Sequence, residues 1–180
     1  MVEEGDYFVI NRPRQYGKTT TLHGITNALI NTGEYLVFNT SFEGIGDVIF
    51  ETEERFAPGF VGLLSTNAET YAPELVEWLD EAVQTVHQLN TLSKFITKLI
   101  TKTDKKVVLI IDEVDKSSNN QLFVSFLAML RDKYLVRDIV NTFHAVVLAG
   151  VHDVKSLKLK IRAGETPKLI LRGILRLTLR

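Results

Sequence analysis

The amino-acid sequence predicts a three-layer α/β fold, in which helices cover both faces of a parallel central sheet. Two observations support this prediction. Four short apolar runs typical of buried strands begin near residues 6, 33, 105 and 143. Between them lie longer segments whose apolar residues recur every three or four positions, as in amphipathic helices. Strands that alternate with helices favour a parallel sheet, because each parallel connection needs a crossover.

The first strand is followed by a helix after a short loop. The strand is predicted at 6–10 and the helix at 19–30, ending before Gly33. Apolar residues share one face of this helix, at Leu22, Ile25 and Leu29. A strand, a loop and a helix in this order form the setting in which phosphate-binding loops occur.

The loop contains a Gly-Lys-Thr sequence where it joins the helix. A helix that begins there presents unpaired backbone N–H groups and the positive end of its dipole to an anion. Lys18 adds a mobile positive charge, and the hydroxyl of Thr19 can ligate Mg²⁺. We therefore expect a nucleotide as ligand, with its phosphates held by Arg14, Gln15, Tyr16, Gly17, Lys18, Thr19 and Thr20.

The loop departs from the full phosphate-binding pattern at one position. That pattern has a glycine five residues before the Gly-Lys pair, where this chain has Arg12. The Gly-Lys-Thr sequence alone leaves a nucleotide site and a chance match equally open. Arg12 and Arg14 also have two interpretations. They could contact phosphate, a role that we favour for Arg14, or order the loop by pairing with the acids after Asp112.

A second motif favours the nucleotide site. The aliphatic run at 107–111 ends in Asp112 and Glu113, a pattern typical of a central parallel strand buried on both faces. Ligands of open α/β sheets bind at the carboxyl edge of the strands. Asp112 is then expected to hold magnesium, directly or through water, and Glu113 to polarise the attacking water. The alternative is that the two acids only cap the next helix.

Three segments together resemble a bacterial AAA-ATPase-like family of P-loop ATPases, near the AAA and STAND groups. These segments are 12–20, 110–116 and 147–153. The resemblance extends over about residues 5–162. It implies a three-layer P-loop NTPase fold with a helical insertion between the second strand and the Walker B strand, which ends in Asp112. Members of that family often replace the first glycine of the Walker A loop, which accounts for Arg12.

The same resemblance implies that the chain binds and hydrolyses ATP with Mg²⁺. Four residues match the functional positions of the family one for one. Lys18 and Glu113 match its catalytic residues, and Thr19 and Asp112 match its metal ligands. The resemblance implies no particular substrate or partner.

Two further roles in such ATPases have several candidates. A polar residue at the end of the fourth strand senses the γ-phosphate. His152 could do so here, or it could be a structural histidine beside a helix cap at Asp153. An arginine finger would come from a neighbouring subunit, and the sequence does not rank its candidates, Arg131, Arg137 and Arg162.

After the second strand, predicted at 33–39, the pattern is helical to about residue 103. One helix is predicted from Pro73, and a second at 91–101. The first has an apolar stripe expected to form core or a subunit interface, at Leu75, Leu79, Ala82, Val86 and Leu89. An acidic group before it is interpreted as a solvated face rather than a metal site: Glu43, Asp47, Glu51, Glu53 and Glu54.

Beyond Glu113, Ser117 or Ser118 is expected to cap a helix whose apolar residues extend from Leu122 to Tyr134. The fourth strand is predicted at 143–150. We expect the strands to lie in the spatial order 2-3-4-1, so that the fourth strand separates the Asp112 strand from the first.

Composition agrees with one soluble domain. The chain has 180 residues, 45% hydrophobic and 24% charged, with a net charge of -1 that does not indicate a nucleic-acid partner. It contains no cysteine, which excludes disulfides and thiol catalysis and agrees with the cytoplasm. No apolar run is long enough to span a membrane, and the N-terminus lacks the pattern of a signal peptide.

We predict an ATPase core at 1–162 and a divergent basic and apolar tail at 163–180, too short for a further strand and a helical lid. The tail could be an edge strand, an amphipathic helix or poorly ordered. The expected function is hydrolysis of Mg·ATP to drive or switch a partner, which could be another protein or a second copy. Alternatives are a truncated, non-hydrolysing module controlled by nucleotide and, less favoured, a phosphotransferase acting on a small molecule.

Overall fold

The computed structural model describes residues 1–11, 17–114 and 120–150. Within them lies a sheet of four strands, in which every described pairing is parallel. The strands are β1 (Tyr7–Asn11), β2 (Tyr35–Ser41), β3 (Lys106–Asp112) and β4 (Ala145–Gly150).

The strand order in space is β1-β4-β3-β2, which confirms the predicted order. Strand β4 lies between β1 and β3, so it separates the strand that precedes Lys18 from the strand that ends in Asp112. The register aligns the carboxyl ends of neighbouring strands, with Ser41 of β2 opposite Asp112 of β3. All four strands therefore direct their carboxyl ends to the same edge of the sheet.

Five α-helices connect these strands in the described chain. They are α1 (Lys18–Asn31), α2 (Glu53–Tyr71), α3 (Val76–Val83), α4 (Leu89–Ile100) and α5 (Gln121–Leu135). Helix α1 joins β1 to β2, and α5 lies between β3 and β4. Helices α2, α3 and α4 form the predicted insertion between β2 and β3.

The apolar stripe after Pro73 belongs to two helices, so the prediction of one helix was wrong. Helix α3 ends at Val83, and α4 begins only at Leu89. The break occurs because Gln88 is extended and forms a capping box with Thr91, each using its side chain to bond the other's backbone. The stripe itself is core, since Leu75, Leu79, Ala82 and Val86 are buried.

The sheet separates two apolar cores, because successive side chains of a strand point to opposite faces. On one face, Val37, Val108 and Val147 pack with Leu22 and Leu29 of α1. On the other, alternate residues of the same strands pack against helices α2 to α5, at Phe38, Leu109, Ile111 and Leu148. These layers confirm the predicted three-layer α/β fold.

Phenylalanine side chains pack the helical insertion against the sheet. They form one group that joins the chain after β2 to α2 and α5, comprising Phe42, Phe50, Phe56, Phe60, Phe123 and Phe126. Phe126 makes two close ring contacts within this group, with centroids 4.7 Å from Phe60 and 5.0 Å from Phe56. Aromatic pairs at these separations add to the stabilisation from buried apolar area.

Helix α5 has a different cap from the one predicted. The cap is Asn120, whose side-chain oxygen accepts hydrogen bonds from the backbone N–H groups of Leu122 and Phe123 at 2.9 and 3.3 Å. Its amide nitrogen donates to the carbonyl of Phe50. Ser117 and Ser118, the residues predicted for this role, lie outside the described residues.

The acidic group before α2 is largely a solvated face, as predicted. Four of the five acids are exposed, and Glu53 is half-buried. Its carboxylate accepts a hydrogen bond from the backbone N–H of Leu89 at 2.8 Å. In the part of the chain that the structure describes, no group of three acidic, histidine or cysteine side chains is arranged to hold a metal ion. Nor does any described helix have the length and apolarity needed to cross a membrane.

We expect Phe126→Ala to lower the free energy of unfolding by about 3–5 kcal/mol, because it removes a fully buried ring and leaves a cavity. Urea unfolding followed by circular dichroism measures this change. Ile139→Ala is the matched control, since Ile139 is 88% exposed. Equal losses in the two variants would contradict the packing described above.

Candidate functional site

The candidate site lies at the carboxyl edge of the sheet, where β1, β3 and β4 end. Helix α1 starts there at Lys18, and β3 ends there at Asp112. Strand β4 runs between the strands that lead to these residues. Side chains separated by nearly a hundred positions therefore meet at one edge, as is common in open parallel sheets.

Gly17 sets the direction in which the chain enters α1. Its backbone is left-handed, with φ 66° and ψ 28°. This conformation is readily adopted by glycine and costs other residues free energy. The carbonyl of Gly17 accepts the first described helical hydrogen bond, from the N–H of Thr21 at 2.8 Å. The N-terminal turn of α1, which carries the helix's positive partial charge, is thus placed at the sheet edge.

The ammonium group of Lys18 contacts both predicted acids. Its Nζ lies 2.7 Å from Oδ1 of Asp112 and 2.8 Å from Oε1 of Glu113. The side chains of Lys18 and Asp112 are each 8% exposed, and that of Glu113 is 16% exposed. Two carboxylates close together would repel each other strongly at this burial, so the lysine serves as their shared counterion.

The backbone after β3 turns sharply to present Glu113. Its φ is 57°, which is uncommon for a residue other than glycine and costs on the order of 1–3 kcal/mol. Two hydrogen bonds hold this turn. The N–H of Glu113 donates to Oδ1 of Asp112 at 2.7 Å, and the N–H of Val114 donates to the carbonyl of Ala149 at 3.0 Å. The strained turn is therefore anchored to both β3 and β4.

Burial and ion pairing act in opposite directions on Lys18. Burial alone lowers the pKa of its ammonium group, because it penalises the charged form. The hydrogen bonds and charges of Asp112 and Glu113 outweigh burial and raise that pKa above its usual range. Lys18 therefore stays charged at neutral pH and available to an anionic ligand.

Thr19 and Asp112 have a geometry that suits a magnesium ion. The hydroxyl of Thr19 donates to Oδ2 of Asp112 at 3.2 Å. Two oxygens at this separation could be neighbouring ligands of Mg²⁺, which binds oxygen at about 2.0–2.1 Å with near-octahedral angles. A site of this type takes its other ligands from water and phosphate, so it needs few protein ligands.

The structure brings together Lys18, Thr19, Asp112 and Glu113, four of the predicted site residues. Gly17 and Thr20 lie beside them at the start of α1, and both are exposed. The other predicted phosphate contacts, Arg14, Gln15 and Tyr16, lie outside the described residues, as do Arg12, His152, Asp153 and Arg162.

The two described finger candidates lie far from this edge. Arg131 and Arg137 are at the end of α5 that approaches the start of β1, where Tyr7 contacts Tyr134. The guanidinium of Arg137 lies over the Tyr134 ring, 4.1 Å from its centroid. They therefore do not contribute to the site of their own chain, and the prediction that one acts on a neighbour's site stays open.

Two features of the site were not anticipated from the sequence. One is the contact of Lys18 with both acids, where pairing by the loop arginines was considered instead. The other is Ser41, which ends β2 opposite Asp112 in the register. No motif singles out a serine at a strand end, but the predicted strand order placed the end of β2 beside Asp112.

Comparison with protein families gives a match over most of the chain. The sequence matches a family described as an AAA-like domain over residues 1–160. Neither a curated protein nor a solved structure matches the chain.

The ion pairs of Lys18 predict a loss of stability at alkaline pH. Its raised pKa means that their contribution is complete below the ordinary value of 10.5 and is lost as pH rises through the folded value. Burial also raises the pKa of the Tyr7 phenol, and the positive charge of Arg131 partly offsets this rise. The contribution of the protonated phenol to the free energy of unfolding is therefore lost as the pH rises above 10.0. We expect Lys18→Met and Tyr7→Phe each to reduce the alkaline fall in the free energy of unfolding.

Urea unfolding of the parent and both variants at a series of pH values measures this effect. At neutral pH, Lys18→Met should also be destabilised by about 3 kcal/mol, because two buried carboxylates lose their counterion. An alkaline fall of the same size in all three proteins would show that neither group titrates with folding.

Proposed function

Because the match covers most of its length, the chain belongs to the AAA-like domain family, and we propose that it binds Mg·ATP at the carboxyl edge of the sheet and hydrolyses it. Membership of this family indicates a nucleotide-binding function of the ATPase type. The observation that carries the finer proposal is the meeting of Lys18, Thr19, Asp112 and Glu113 within hydrogen-bond distance.

Phosphate binding is assigned to Lys18 and to the start of α1. The first backbone N–H groups of a helix lack helical partners and point along its axis toward an anion. Lys18 lies at this position and carries a positive charge. The two carboxylates occupy at most two of its three N–H donors if each accepts one. An incoming phosphate would compete with them for the ammonium group, so we propose that Lys18 exchanges a carboxylate for a phosphate when nucleotide binds.

Magnesium is assigned to Thr19 and Asp112. If Lys18 moves to the phosphates, Asp112 loses its cationic partner, and its carboxylate would then be available to hold Mg²⁺ together with the hydroxyl of Thr19. Bound Mg²⁺ supplies charge neutralisation to the phosphate oxygens during transfer. The remaining chemistry falls to side chains of the chain itself.

Water activation is assigned to Glu113. Its carboxylate lies beside Asp112 on the strained turn, and it accepts a hydrogen bond from Lys18. Release of Lys18 toward the phosphates frees Oε1 to accept a proton from water, as a general base requires. Lys18 and the α1 amides would then stabilise the charge that develops on the transferred group.

A non-hydrolysing module controlled by nucleotide is the second candidate. Its support is the same contact, because a Glu113 that keeps its ion pair with Lys18 after binding would be a weaker base. In either case, nucleotide binding would change the conformation of the chain and thereby drive or switch a partner molecule. The lack of cysteine in the sequence supports a reducing compartment, which we propose to be the cytoplasm.

We expect Lys18→Ala to abolish nucleotide binding, because it removes the positive charge nearest the phosphates. Calorimetric titration with Mg·ATP measures this, with folding checked by circular dichroism. Lys105→Ala is the matched control, since Lys105 is exposed and precedes β3 at the opposite edge of the sheet. The proposal fails if Lys18→Ala binds Mg·ATP as tightly as the parent.

We expect Glu113→Gln to bind Mg·ATP but to lose turnover by about 100-fold or more, the usual size of a general-base effect. Release of phosphate over many turnovers measures the rate, and calorimetry measures binding. Equal turnover in variant and parent would remove Glu113 from the mechanism. A parent that binds Mg·ATP without turnover would instead favour the nucleotide-controlled module.

A further inference from the structure

A cleft of about 360 Å³ opens between α3 and α4, on the helical insertion. Its floor is apolar, formed by Trp78, Ala82, Val86 and Phe95. The rings of Trp78 and Phe95 stack with centroids 4.9 Å apart. We call this feature the Trp78 cleft. Phe95 is buried whereas Trp78 is only half-buried, so an aromatic surface remains open to a partner.

The α4 side of the Trp78 cleft is basic. Lys94 and Lys98 line it, four positions apart and both exposed, and Glu81 lines the α3 side. Lys102 continues the row and places its Nζ 5.3 Å from the centre of the Trp78 ring. Among the described residues, no ion pair joins Lys94 or Lys98 to an acid. These lysines can therefore receive acidic groups from another molecule.

An exposed segment of the same chain has the complementary character. Residues 44–48, here called the Asp47 loop, carry two exposed apolar side chains, Ile45 at 37% and Val48 at 54%. Asp47 lies between them in sequence and is exposed, with no ion pair to another described residue. Gly44 and Gly46 have φ of 82° and 81°, so the chain turns sharply on either side of Ile45.

The Asp47 loop and the Trp78 cleft are linked through the starts of α2 and α4. Five residues after Val48, the carboxylate of Glu53 accepts a hydrogen bond from the N–H of Leu89, the first residue of α4. Thr91 and Lys94 of the same helix line the cleft. An interface that includes the loop can therefore also include the cleft.

We propose that the chain forms a two-fold symmetric dimer, in which the Asp47 loop of each copy enters the Trp78 cleft of the other. When two copies are related by a two-fold axis, the same loop–cleft contact forms twice, and no loop or cleft is left to bind a third copy. Ile45 and Val48 cover the aromatic floor, and Asp47 meets Lys94 and Lys98. Both contacts remove exposed apolar groups from water. The pairing of Asp47 with the two lysines fixes how the loop is positioned in the cleft.

A second exposed apolar group in the described chain fits the cleft less well. It comprises Leu135, Val136 and Ile139, beside the cation of Arg137. Arg137 and Asp138 lie within this group, and their opposite charges cancel, so its insertion brings no net negative charge to the lysines of the cleft. The Asp47 loop is thus the segment whose charge matches.

Reversing the charge of Asp47 or Lys98 tests this interface, because both side chains are exposed and neither belongs to the proposed nucleotide site. We expect the parent chain to dimerise in sedimentation velocity over the micromolar range. Asp47→Lys alone and Lys98→Glu alone should each weaken the dimer by about tenfold, since each change replaces attraction by repulsion at both of its symmetric contacts. Lys105→Glu is the matched control, and it should leave association unchanged.

Mixing the two variants gives the decisive result. A reciprocal dimer of one Asp47→Lys copy and one Lys98→Glu copy has one native contact and one contact with both charges reversed. The mixture should associate more tightly than either variant alone, although Lys94 still opposes the introduced lysine at one contact. The fluorescence of the single tryptophan, Trp78, should change with association. A monomeric parent, a dimer insensitive to both reversals, or a mixture that stays monomeric would each overturn the proposal. Nucleotide binding is not needed for any of these outcomes.

Discussion

The geometry of the site depends on the burial of β3 on both faces. All residues from Val107 to Asp112 are buried, because α1 covers one face of the sheet and the insertion covers the other. Each such aliphatic side chain contributes about 1.5–3 kcal/mol relative to exposure. A shift of one position along β3 would turn its side chains to the wrong face, so the apolar pattern fixes the register. That register in turn determines where the carboxylate of Asp112 lies.

The same constraint explains which parts of the fold could be predicted from the sequence. Continuous apolar runs identify strands buried on both faces, and this placed β3 and β4 within two residues of their observed bounds. The strand order followed from the resemblance of the two motifs to P-loop ATPases rather than from periodicity. The pairing of Lys18 with both acids was not predictable, since no local pattern states which cation neutralises a carboxylate 94 or more positions away.

Other features escaped prediction for local reasons. The break between α3 and α4 interrupts no apolar period, because Ala82, Val86 and Leu89 keep helical spacing across it. Side-chain bonds of Gln88 and Thr91 end the helix there, and such bonds compete with helical ones only in context. The cap of α5 was assigned to serine, although Asn120 lies closer to the helix and is an equally good cap.

The charge pairs of Lys18 in the free protein affect the binding of the proposed ligands. A lysine between two acids offsets one of their two negative charges when no nucleotide is bound, which reduces the repulsion between the carboxylates. If Lys18 binds phosphate as proposed, the loss of its carboxylate contacts would offset part of that attraction. A cation held at Asp112 would then compensate for the loss.

The separation of the site residues along the chain also bears on how the protein acquires activity. Thr19 and Asp112 are 93 positions apart, and the whole helical insertion lies between them. Contacts of such long range form slowly, because the closure entropy of the intervening chain opposes them until much of the core is present. During synthesis, α1 leaves the ribosome well before β3 exists. The chain therefore passes through a long nascent stage in which Lys18 and Thr19 of α1 lack their acidic partners, and only completion of the sheet brings them together.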